Sequence, residues 1–525
     1  MKILIVYPNA EGYGRIPLGM SIIATLLHNA GHQIEVFDTT FLRGDNVDNT
    51  IRQQAGFVLS TDTAYLYSTY TDEEIDMMLR EKVKQFSPDI VAVSIVEDNY
   101  RYAHRLLSVI KEVDSSIVVL AGGSTPTVVP HIVMENPCID YVIQGEGEGA
   151  VVEFCDLMEC GKSVEGIRNV WFSKNGRIKG NPIRPFIDMN VLPIQNLDFW
   201  DERHFTKPYA GKIYRSGYYE MSRGCLNKCT YCINHSLQNC LHSAGRYYRR
   251  KSIESAITEI RTHKDKYKLE RIFFTDDNFL FMPSAVFDEF VTQWNRKINL
   301  PYWINTTVET LNSRRLGMLK ATGCDGISIG VESGSEWLRR NILNRKIKNE
   351  TIIKGFKLVH DFGIRTSSNI MIGFPGECEA DIFESIKLLK RIRPGSMDAT
   401  FVTPYIGTNI HKLAWKLGYI DVLDTLGFRG FAANISMRKP CIRIPQVNNK
   451  NLVKVFNDFS GYVNGTIPIP DKYVSPTPGS SKTEPPRGDM GKQEAAVLKD
   501  IIFSMSKRSL HELDGINGEE GGFAK

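Results

Sequence analysis

Arg223-Gly-Cys225-Leu-Asn-Lys-Cys229-Thr-Tyr-Cys232 is the stretch that decides the fold and the chemistry of this 525-residue chain. Its three cysteines are spaced C-x3-C-x2-C and follow residues 218–221, which are typical of the end of a strand. Thiolates so close in sequence can converge on one metal centre. Three ligands are one fewer than a closed zinc site or a cubane iron–sulfur cluster normally takes, so one metal position is left open for chemistry.

This spacing, with Tyr231 directly before the third cysteine, resembles the radical S-adenosylmethionine (SAM) superfamily. In that family the three cysteines hold a [4Fe–4S] cluster and SAM chelates the fourth iron. The resemblance implies the same cluster on the three cysteines of this loop, with Tyr231 among the SAM contacts. The residues alone also allow a structural zinc knuckle, with His235 or Cys240 as the fourth ligand.

Composition narrows the class of protein. A chain of 525 residues has room for two to four domains. Its net charge of +4 is small for this length and argues against a dedicated nucleic-acid binder. Ten cysteines are too few and too scattered for a disulfide framework. The sequence shows no signal peptide and no apolar run of membrane-spanning length, so we expect a cytoplasmic protein with no nucleic-acid or membrane partner.

Residues 1–160 are predicted to form a doubly wound, Rossmann-like α/β domain. Apolar strands that alternate with helices indicate a parallel sheet, and such sheets bind ligands at the carboxyl ends of their strands. Residues 39–70 interrupt this alternation and are predicted to be an insertion with a short helix. The predicted strands are residues 3–7, 33–37, 90–94, 117–121 and 141–144, and the predicted helices are residues 17–30, 72–86 and 102–113.

Glycines mark the ends of several of these strands. No G-x-G-x-x-G follows the first strand, so a dinucleotide is not expected, but glycines also let a backbone approach a broad flat ligand closely. The pattern resembles the cobalamin-binding domain that precedes many radical SAM domains. The resemblance implies that cobalamin contacts come from these strand ends, at Leu18, Gly19, Ser94, Gly122, Gly123, Gly145 and Glu146.

Two departures from cobalamin-binding patterns bear on this prediction. No D-x-H-x-x-G motif occurs, so the resemblance implies base-off binding without a histidine ligand to cobalt. Relatives often have a histidine after the double glycine, where this chain has Ser124-Thr125-Pro126. A degenerate domain that holds no cofactor, with the glycines only making tight turns, is the alternative.

The remaining chain is divided into four predicted parts. Residues 161–215 are a connector with an Asn-Gly hairpin, residues 216–410 a parallel (β/α)6 partial barrel, residues 411–465 a helical cover and residues 466–525 a largely disordered tail with a short amphipathic helix over residues 494–505. The predicted barrel strands are residues 218–221, 271–275, 303–308, 326–331, 368–372 and 398–403. Asn349 is predicted to be the N-cap of the helix over residues 350–362.

Polar residues follow three of the predicted barrel strands. Strand-end carboxylates can accept hydrogen bonds from a ribose or an ammonium group, both of which SAM offers. These segments resemble the SAM-binding strand ends of the superfamily, although Glu377 falls one place late for its strand-five motif. For each carboxylate alone, helix capping is an alternative role. The resemblance implies SAM contacts at Asp276, Asp277, Asn278, Glu332, Ser333 and Gly373.

The combined resemblance implies a cobalamin-dependent radical SAM enzyme, most simply a C-methyltransferase that acts on a small molecule. In this family a flavodoxin or ferredoxin supplies an electron, SAM is cleaved to a 5′-deoxyadenosyl radical, and methylcobalamin supplies the methyl group. Two alternatives stay open. The same cofactors can serve a cyclisation, oxidation or rearrangement without methyl transfer, and the chain could be a non-catalytic zinc- or cobalamin-binding module.

Overall fold

The computed structural model describes residues 1–9, 14–43, 53, 56–420, 422–423, 431–432, 439–474 and 493–501. Within them, two seven-stranded sheets form two α/β units. The predicted insertion over residues 39–70 lies partly outside the described residues. In the described part of the chain, no helix is long and apolar enough to cross a membrane.

The first sheet has the strand order β2-β1-β3-β4-β5-β6-β7. Its first five strands are parallel, and the 2-1-3-4-5 order places a topological switch point between β1 and β3. The strands are β1 Lys2–Tyr7, β2 Gln33–Asp38, β3 Ile90–Ser94, β4 Val118–Gly122, β5 Tyr141–Ile143, β6 Val170–Lys174 and β7 Arg177–Gly180. The helices are α1 Leu18–Asn29, α2 Asp72–Phe86, α3 Tyr100–Val113, α4 Ser124–Val128, α5 Pro130–Val133 and α6 Glu148–Glu159.

The predicted Asn-Gly hairpin is present as β6 and β7. Asn175 and Gly176 have φ of 54° and 73°, the left-handed pair that a type I′ turn requires. β6 pairs antiparallel with β5, so the hairpin extends the first sheet instead of lying free in a connector. The end of the predicted connector belongs to the second sheet, where Thr206–Tyr209 pairs antiparallel with Lys212–Tyr219.

The second sheet has the order β16-β15-β14-β13-β12-β9-β8. Six of its strands are parallel, namely β9, β12, β13, β14, β15 and β16, which confirms the predicted (β/α)6 partial barrel. The seventh strand, β8, adds an antiparallel edge. The strands are β8 Thr206–Tyr209, β9 Lys212–Tyr219, β12 Arg271–Phe274, β13 Tyr302–Thr306, β14 Cys324–Glu332, β15 Arg365–Ile372 and β16 Ser396–Phe401, and β10 Ser222–Arg223 pairs separately with β11 Arg249–Arg250.

Helices cover the outer face of this half-barrel. One of them, α9, falls outside the predicted elements, although Phe287, Phe290 and Trp294 recur at helical spacing and are fully buried. The helices are α7 Ile233–Cys240, α8 Ile253–Tyr267, α9 Ser284–Lys297, α10 Ser313–Ala321, α11 Glu336–Asn341, α12 Asn349–Asp361, α13 Glu379–Ile392, α14 Asn409–Lys416, α15 Asn449–Asn457 and α16 Phe459–Asn464.

Side-chain caps fix several helix starts, and one predicted cap is wrong. Thr71 caps α2 in a capping box with Glu74. Lys348, and not Asn349, is the N-cap of α12. The Asn349 amide instead donates to the carbonyl of Gly334 (2.9 Å) and accepts from the guanidinium of Arg339 (2.6 Å), so it fastens the preceding loop.

The short helix predicted over residues 494–505 of the tail is present over residues 493–501 and places Leu498 in the core. Residues 466–474 include a 3₁₀ turn over Asp471–Tyr473. The Glu494 carboxylate accepts hydrogen bonds from Tyr419 (2.8 Å) and Gln446 (2.8 Å), which holds this helix against the cover of the barrel. Residues 475–492 and 502–525 lie outside the described residues.

Candidate active site

The cysteine loop begins where β9 ends, at the carboxyl edge of the barrel sheet. Gly224 enters it with φ of 88°, and a Cβ there would lie 2.7 Å from the carbonyl oxygen of Tyr247. Only glycine meets both requirements without strain. The loop then runs into α7, whose N-cap is Cys232. The start of the loop is therefore fixed by backbone packing, independently of any ligand.

The three thiols lie in a protein-lined environment. Cys229 is buried, and Cys225 and Cys232 are half-buried. Burial raises the pKa of Cys225 to about 11 and that of Cys232 to about 12. The backbone N–H of Asn227 donates to Cys225 Sγ at 3.5 Å, and the positive charge of Arg345 favours the thiolate at Cys229. A bound metal would supply the charge that ionises these thiols.

The donor set fits an iron–sulfur cubane better than a zinc ion. Among the residues that the structure describes, no group of three or more His, Cys, Asp or Glu is close enough to share one metal ion. Cys240 ends the helix that Cys232 begins, about 12 Å further along its axis, which removes it as a fourth ligand. Three thiols from one loop with no fourth ligand among the described residues suit a cluster with one open iron.

Glu332, at the end of β14, is the predicted SAM residue with the most developed surroundings. The pairing of β14 with β15 shifts register between Gly330 and Glu332, and Glu332 has φ of 69°. Its Oε1 lies 3.2 Å from Nη1 of Arg345. The Tyr231 hydroxyl is close enough to lower the pKa of Glu332 and that of Cys229 against the effect of burial. Glu332, Tyr231 and the cysteine loop therefore lie close to one another.

Arg345 is the partner that the sequence did not reveal. It lies in a loop beyond α11 with no motif around it, and its side chain is only 7% exposed. Burial raises the pKa of Glu332, whereas Arg345 and Tyr231 lower it. The pKa of Arg345 is itself raised, because Tyr231, Glu332 and Cys229 outweigh the effect of burial. The guanidinium thus carries the positive charge next to both the carboxylate and the thiols.

Asp276, after β12, supports the cysteine loop from below. It is buried, and its carboxylate accepts hydrogen bonds from the backbone N–H of Met221 (3.1 Å) and from the hydroxyl of Ser222. Burial raises the pKa of Asp276 to about 7, although these hydrogen bonds act to lower it. Both carboxylate oxygens therefore have protein partners in the strand that leads into the loop, which is a positioning role.

Asp277 and Asn278, which follow Asp276, lie in different surroundings. The buried Asn278 accepts from the hydroxyl of Thr306 (2.7 Å) and donates to Thr307 Oγ1 (3.0 Å), so its side chain ties β12 to β13. Asp277 is exposed and accepts from the Asn234 amide at 2.8 Å, next to the cysteine loop. Of the acidic and amide residues predicted after β12, Asp277 is the one with an exposed side chain beside the loop.

Ser333 and Gly373 also have local partners. The buried Ser333 hydroxyl accepts from the backbone N–H of Ser335 at 3.1 Å. Gly373 has φ of 91°, and its N–H and that of Phe374 donate to the same Glu377 oxygen, the latter at 3.2 Å. Glu377 therefore closes the turn after β15, and the sequence had marked it only as a late match to the superfamily motif.

Four predicted cobalamin residues line the open carboxyl edge of the first sheet. Ser94 and Gly122 are register partners at the ends of β3 and β4, and Leu18 and Gly19 open α1. A Cβ on Gly19 or Gly122 would meet no atom within 4 Å, so there is space above this edge. A broad flat ligand fits such a surface at the switch point of the sheet.

The other predicted glycines have packing reasons of their own. Gly123 has φ of 113°, and a Cβ there would lie 2.4 Å from the carbonyl oxygen of Ile95. Gly145 has φ of 88°, and its Cβ would come within 2.9 Å of the Leu241 side chain, which belongs to the barrel unit. These two glycines permit close backbone contacts, one within the first domain and one between domains.

Glu146 lies in an ion cluster between the two domains, here called the interdomain clamp (Glu146, Glu148, Glu220, Arg223 and Arg249). Arg223 lies 2.9 Å from Glu146, 2.6 Å from Glu148 and 2.8 Å from Glu220, and Arg249 lies 2.7 Å from Glu146. The two arginines lower the pKa of Glu146 despite its burial. The Glu146 carboxylate is thus bound to the segment that leads into the cysteine loop.

A second contact joins the domains at the end of β3. Glu97 is 6% exposed. Its carboxylate accepts a hydrogen bond from the backbone N–H of Ile406 at 2.6 Å. The Asp98 carboxylate accepts from the hydroxyl of Tyr405 at 2.9 Å. Burial raises the pKa of Glu97 to about 8 and also raises that of Asp98. This contact is therefore most stable with Glu97 protonated.

Stability is expected to fall with rising pH because of Glu97. Its folded pKa of about 8 exceeds the ordinary 4.5, so between these values the native state holds a proton that the unfolded state releases. The free energy of unfolding should fall by about 1.4 kcal/mol for each pH unit in this window. Urea titrations at about pH 5.5 and about pH 8 measure the fall. Glu97→Gln keeps an acceptor for Ile406 and should lose that share of the dependence; an equal fall in both proteins would contradict the assignment.

Two family profiles match the two units of the chain. The B12 binding domain matches residues 11–155, and the radical SAM superfamily matches residues 219–389. The first match covers β2 to β5 of the parallel sheet with the glycine-lined edge, and the second covers the three-cysteine loop and β12 to β15 of the half-barrel.

Relatives and solved structures share this arrangement. A Pyrococcus horikoshii protein named as the uncharacterized methyltransferase PH0819 is 26% identical over 79% of this chain and 83% of its own length. The anaerobic magnesium-protoporphyrin IX monomethyl ester cyclase of Rubrivivax gelatinosus is 24% identical over 72% of this chain and 67% of its own. The structure of the radical SAM methyltransferase TsrM from Kitasatospora setae, with tryptophan and a SAM analogue, superposes with a TM-score of 0.63 at 15% identity, covering 97% of this chain and 99% of that one. At that identity the likeness shows the fold.

Proposed function

Because the chain belongs to the cobalamin-binding radical SAM enzymes, we propose that it is a C-methyltransferase that acts on a small molecule. One observation carries the proposal: the interdomain clamp fastens the glycine-lined edge of the B12 domain to the segment that enters the cysteine loop. When bound, the [4Fe–4S] cluster with SAM supplies radical chemistry and cobalamin supplies a methyl carrier. The names of several relatives, PH0819 among them, support methyl transfer.

The chain itself binds, positions and shields the cofactors. We propose that Cys225, Cys229 and Cys232 hold the cluster, while Asp276 and Gly224 fix the loop that carries them. Cofactor contacts are assigned to residues that are exposed or half-buried beside the loop or the open edge: Tyr231, Asp277 and Glu332 for SAM, and Leu18, Gly19, Ser94 and Gly122 for cobalamin. Gly373 is buried, so it is proposed to contact SAM only through its backbone. Asn278, Ser333, Gly123, Gly145 and Glu146 support these sites through the contacts described above.

A second candidate function is favoured by the cyclase relative. The same cofactors would then serve a cyclisation or oxidation without methyl transfer. In either case the electron would come from a flavodoxin- or ferredoxin-type donor, since the chain as described carries ligands for one cluster. We place the enzyme in the cytoplasm, where its ten cysteines would stay reduced.

The two functions are separated by their products. The enzyme, purified anaerobically with its cluster and cobalamin, is incubated with SAM and dithionite, and 5′-deoxyadenosine and S-adenosylhomocysteine are quantified together. Methyl transfer predicts both products, with S-adenosylhomocysteine lost when cobalamin is omitted. Deoxyadenosine alone would favour the cyclase-like alternative. If the cluster-loaded enzyme forms neither product, the proposal is refuted.

A further inference from the structure

The helix over residues 493–501 packs against the rest of the protein through one face. Its buried residues recur at helical spacing and are Glu494, Ala495, Leu498 and Ile501. Glu494 is the charged residue of this buried set, and it is 1% exposed. Burying a carboxylate is costly unless polar partners receive it, so its place in the contact face requires a reason beyond packing.

Glu494 meets polar groups from three other segments of the chain. The Tyr419 hydroxyl donates to Oε1 at 2.8 Å, and the Gln446 amide donates to Oε1 at 2.8 Å and to Oε2 at 2.9 Å. Burial raises the pKa of Glu494, whereas Gln446, Tyr419 and the backbone N–H of Gly376 lower it. A Cβ on Gly376 would lie 2.9 Å from Oε2 of Glu494. The carboxylate therefore lies directly against the backbone at Gly376.

Gly376 belongs to the turn over residues 373–377, which follows β15. Gly373 and Gly376 have φ of 91° and 79°, a backbone conformation that residues with side chains rarely adopt. Glu377 holds the start of the turn, because its carboxylate accepts from the N–H groups of Gly373 and Phe374. Glu494 contacts the turn near its other end. One carboxylate of the turn itself and one from a separate helix thus fix the same short segment.

The turn in its place contacts the cysteine loop. Phe374 is fully buried, and its ring centroid lies 6.1 Å from that of Tyr231. A Cβ on Gly376 would lie 3.5 Å from Cδ1 of Ile342, and the carbonyl of Ile342 accepts from the hydroxyl of Thr230. Thr230 and Tyr231 are neighbours in the cysteine loop. The position of the turn is therefore coupled to that of the loop at two adjacent residues.

We propose that Glu494 is a positioning residue for SAM, which holds the turn over residues 373–377 where the backbone of Gly373 can contact SAM beside the cysteine loop. The inference rests on the proposed function, because it adds a residue to the SAM site proposed there. A turn that is fixed before SAM arrives does not have to be ordered by it, and this saving appears as affinity. The helix over residues 493–501 then contributes to SAM binding as well as to the cover of the barrel.

The first test measures the turn without any ligand. In hydrogen–deuterium exchange on the full-length chain, Glu494→Ala should make the backbone amides of residues 373–377 exchange about tenfold faster, because the turn loses hydrogen bonds to a charged group. Lys499→Ala, which alters an exposed residue of the same helix, is the matched control and should leave this exchange unchanged. Equal exchange in Glu494→Ala and in the unaltered chain would overturn the inference.

The second test measures SAM itself. Equilibrium dialysis of the full-length, anaerobically cluster-loaded chain should give a Kd for SAM about tenfold higher in Glu494→Ala than in the unaltered chain. In 5′-deoxyadenosine formation the KM for SAM should rise in the same way, with kcat at saturating SAM within about twofold. A helix that only stabilised the fold would instead lower kcat, through the loss of folded enzyme, and leave KM and Kd unchanged.

A second variant covers the case that Glu494→Ala does not fold. Glu494→Gln keeps the size of the side chain and one acceptor oxygen, so the helix should remain docked and the Kd for SAM should rise about threefold. An unchanged Kd in the folded variants, or an equal rise in Lys499→Ala, would overturn the inference. Dialysis needs no SAM cleavage, so the expected rise in an enzyme whose unaltered form makes no S-adenosylhomocysteine would contradict methyl transfer alone. Methyl transfer by a Glu494→Ala enzyme that binds SAM normally would contradict the positioning role alone.

Discussion

Cys229→Ala is expected to lose the iron–sulfur cluster and, with it, the cleavage of SAM. Cys229 is the buried member of the three thiols, and the charge of Arg345 and the Tyr231 hydroxyl both lower its pKa against the effect of burial. With only two thiols left, the cluster would lack a ligand for another iron, and even the loss of an outer partner commonly costs 10–100-fold in metal affinity. We therefore expect 5′-deoxyadenosine formation to fall by more than about a hundredfold. Iron and sulfide content, the visible absorption band and the product yield measure the effect.

Cys240→Ala provides the matched control. Cys240 is a half-buried cysteine on the helix that follows the loop, so its removal has the same chemistry at a position that the structure separates from the cluster. Iron content and SAM cleavage should be retained, as they should in His235→Ala. A loss of metal in either variant that matches Cys229→Ala would support a four-ligand site and contradict the assignment of three ligands.

The cysteine loop could be predicted from sequence because its ligands are neighbours along the chain. Cys225, Cys229 and Cys232 fall within eight residues, so their convergence needs no knowledge of distant packing. The six parallel strands could be predicted for a similar reason, since each is a short local stretch followed by a turn or a helix. The hairpin at Asn175 followed from the local requirement for positive φ.

The strand-end polar residues could be placed but not assigned. Asp276, Asp277 and Asn278 are consecutive and chemically alike, yet one supports the loop, one is exposed beside it and one ties two strands together. Position at a strand end is compatible with both ligand contact and backbone capping, and the choice depends on partners from other strands. The sequence alone therefore predicts that the site lies at the ends of the barrel strands, but it does not predict the role of each side chain.

The sequence did not predict contacts between residues that are separated along the chain. Arg345 meets Glu332 through a loop that no motif marks, and Glu146 meets Arg223 across 77 positions of the chain. The insertion after β2 showed only as an irregular stretch, although Phe57 pairs with Met397 at the far edge of the barrel. The contacts of Glu146 with Arg223 and of Phe57 with Met397 depend on how the two domains dock, which the periodicity of neither domain encodes.

That docking makes Arg223→Met the most destabilising change expected outside the cluster. Arg223 is 16% exposed and is the shared partner of Glu146, Glu148 and Glu220, whose side chains are 17%, 6% and 18% exposed. Methionine fills a similar volume without the charge and leaves mutually repelling carboxylates at the domain interface. Breaking a buried pair by removing one partner costs about 3–5 kcal/mol, and the partial exposure here favours the lower value, about 3 kcal/mol. Denaturant unfolding measures the loss.

The size of the effect distinguishes a buried clamp from an ordinary surface pair. Arg314→Met removes an arginine whose pair with Asp288 is 55% and 42% exposed, and it should cost less than about 1 kcal/mol. Adding Glu148→Gln to Arg223→Met removes the least exposed of the repelling carboxylates, so the double variant should regain part of the lost stability. If Arg223→Met costs no more than Arg314→Met, or if Glu148→Gln adds a further loss, the clamp does not hold the cobalamin-binding domain to the cysteine loop.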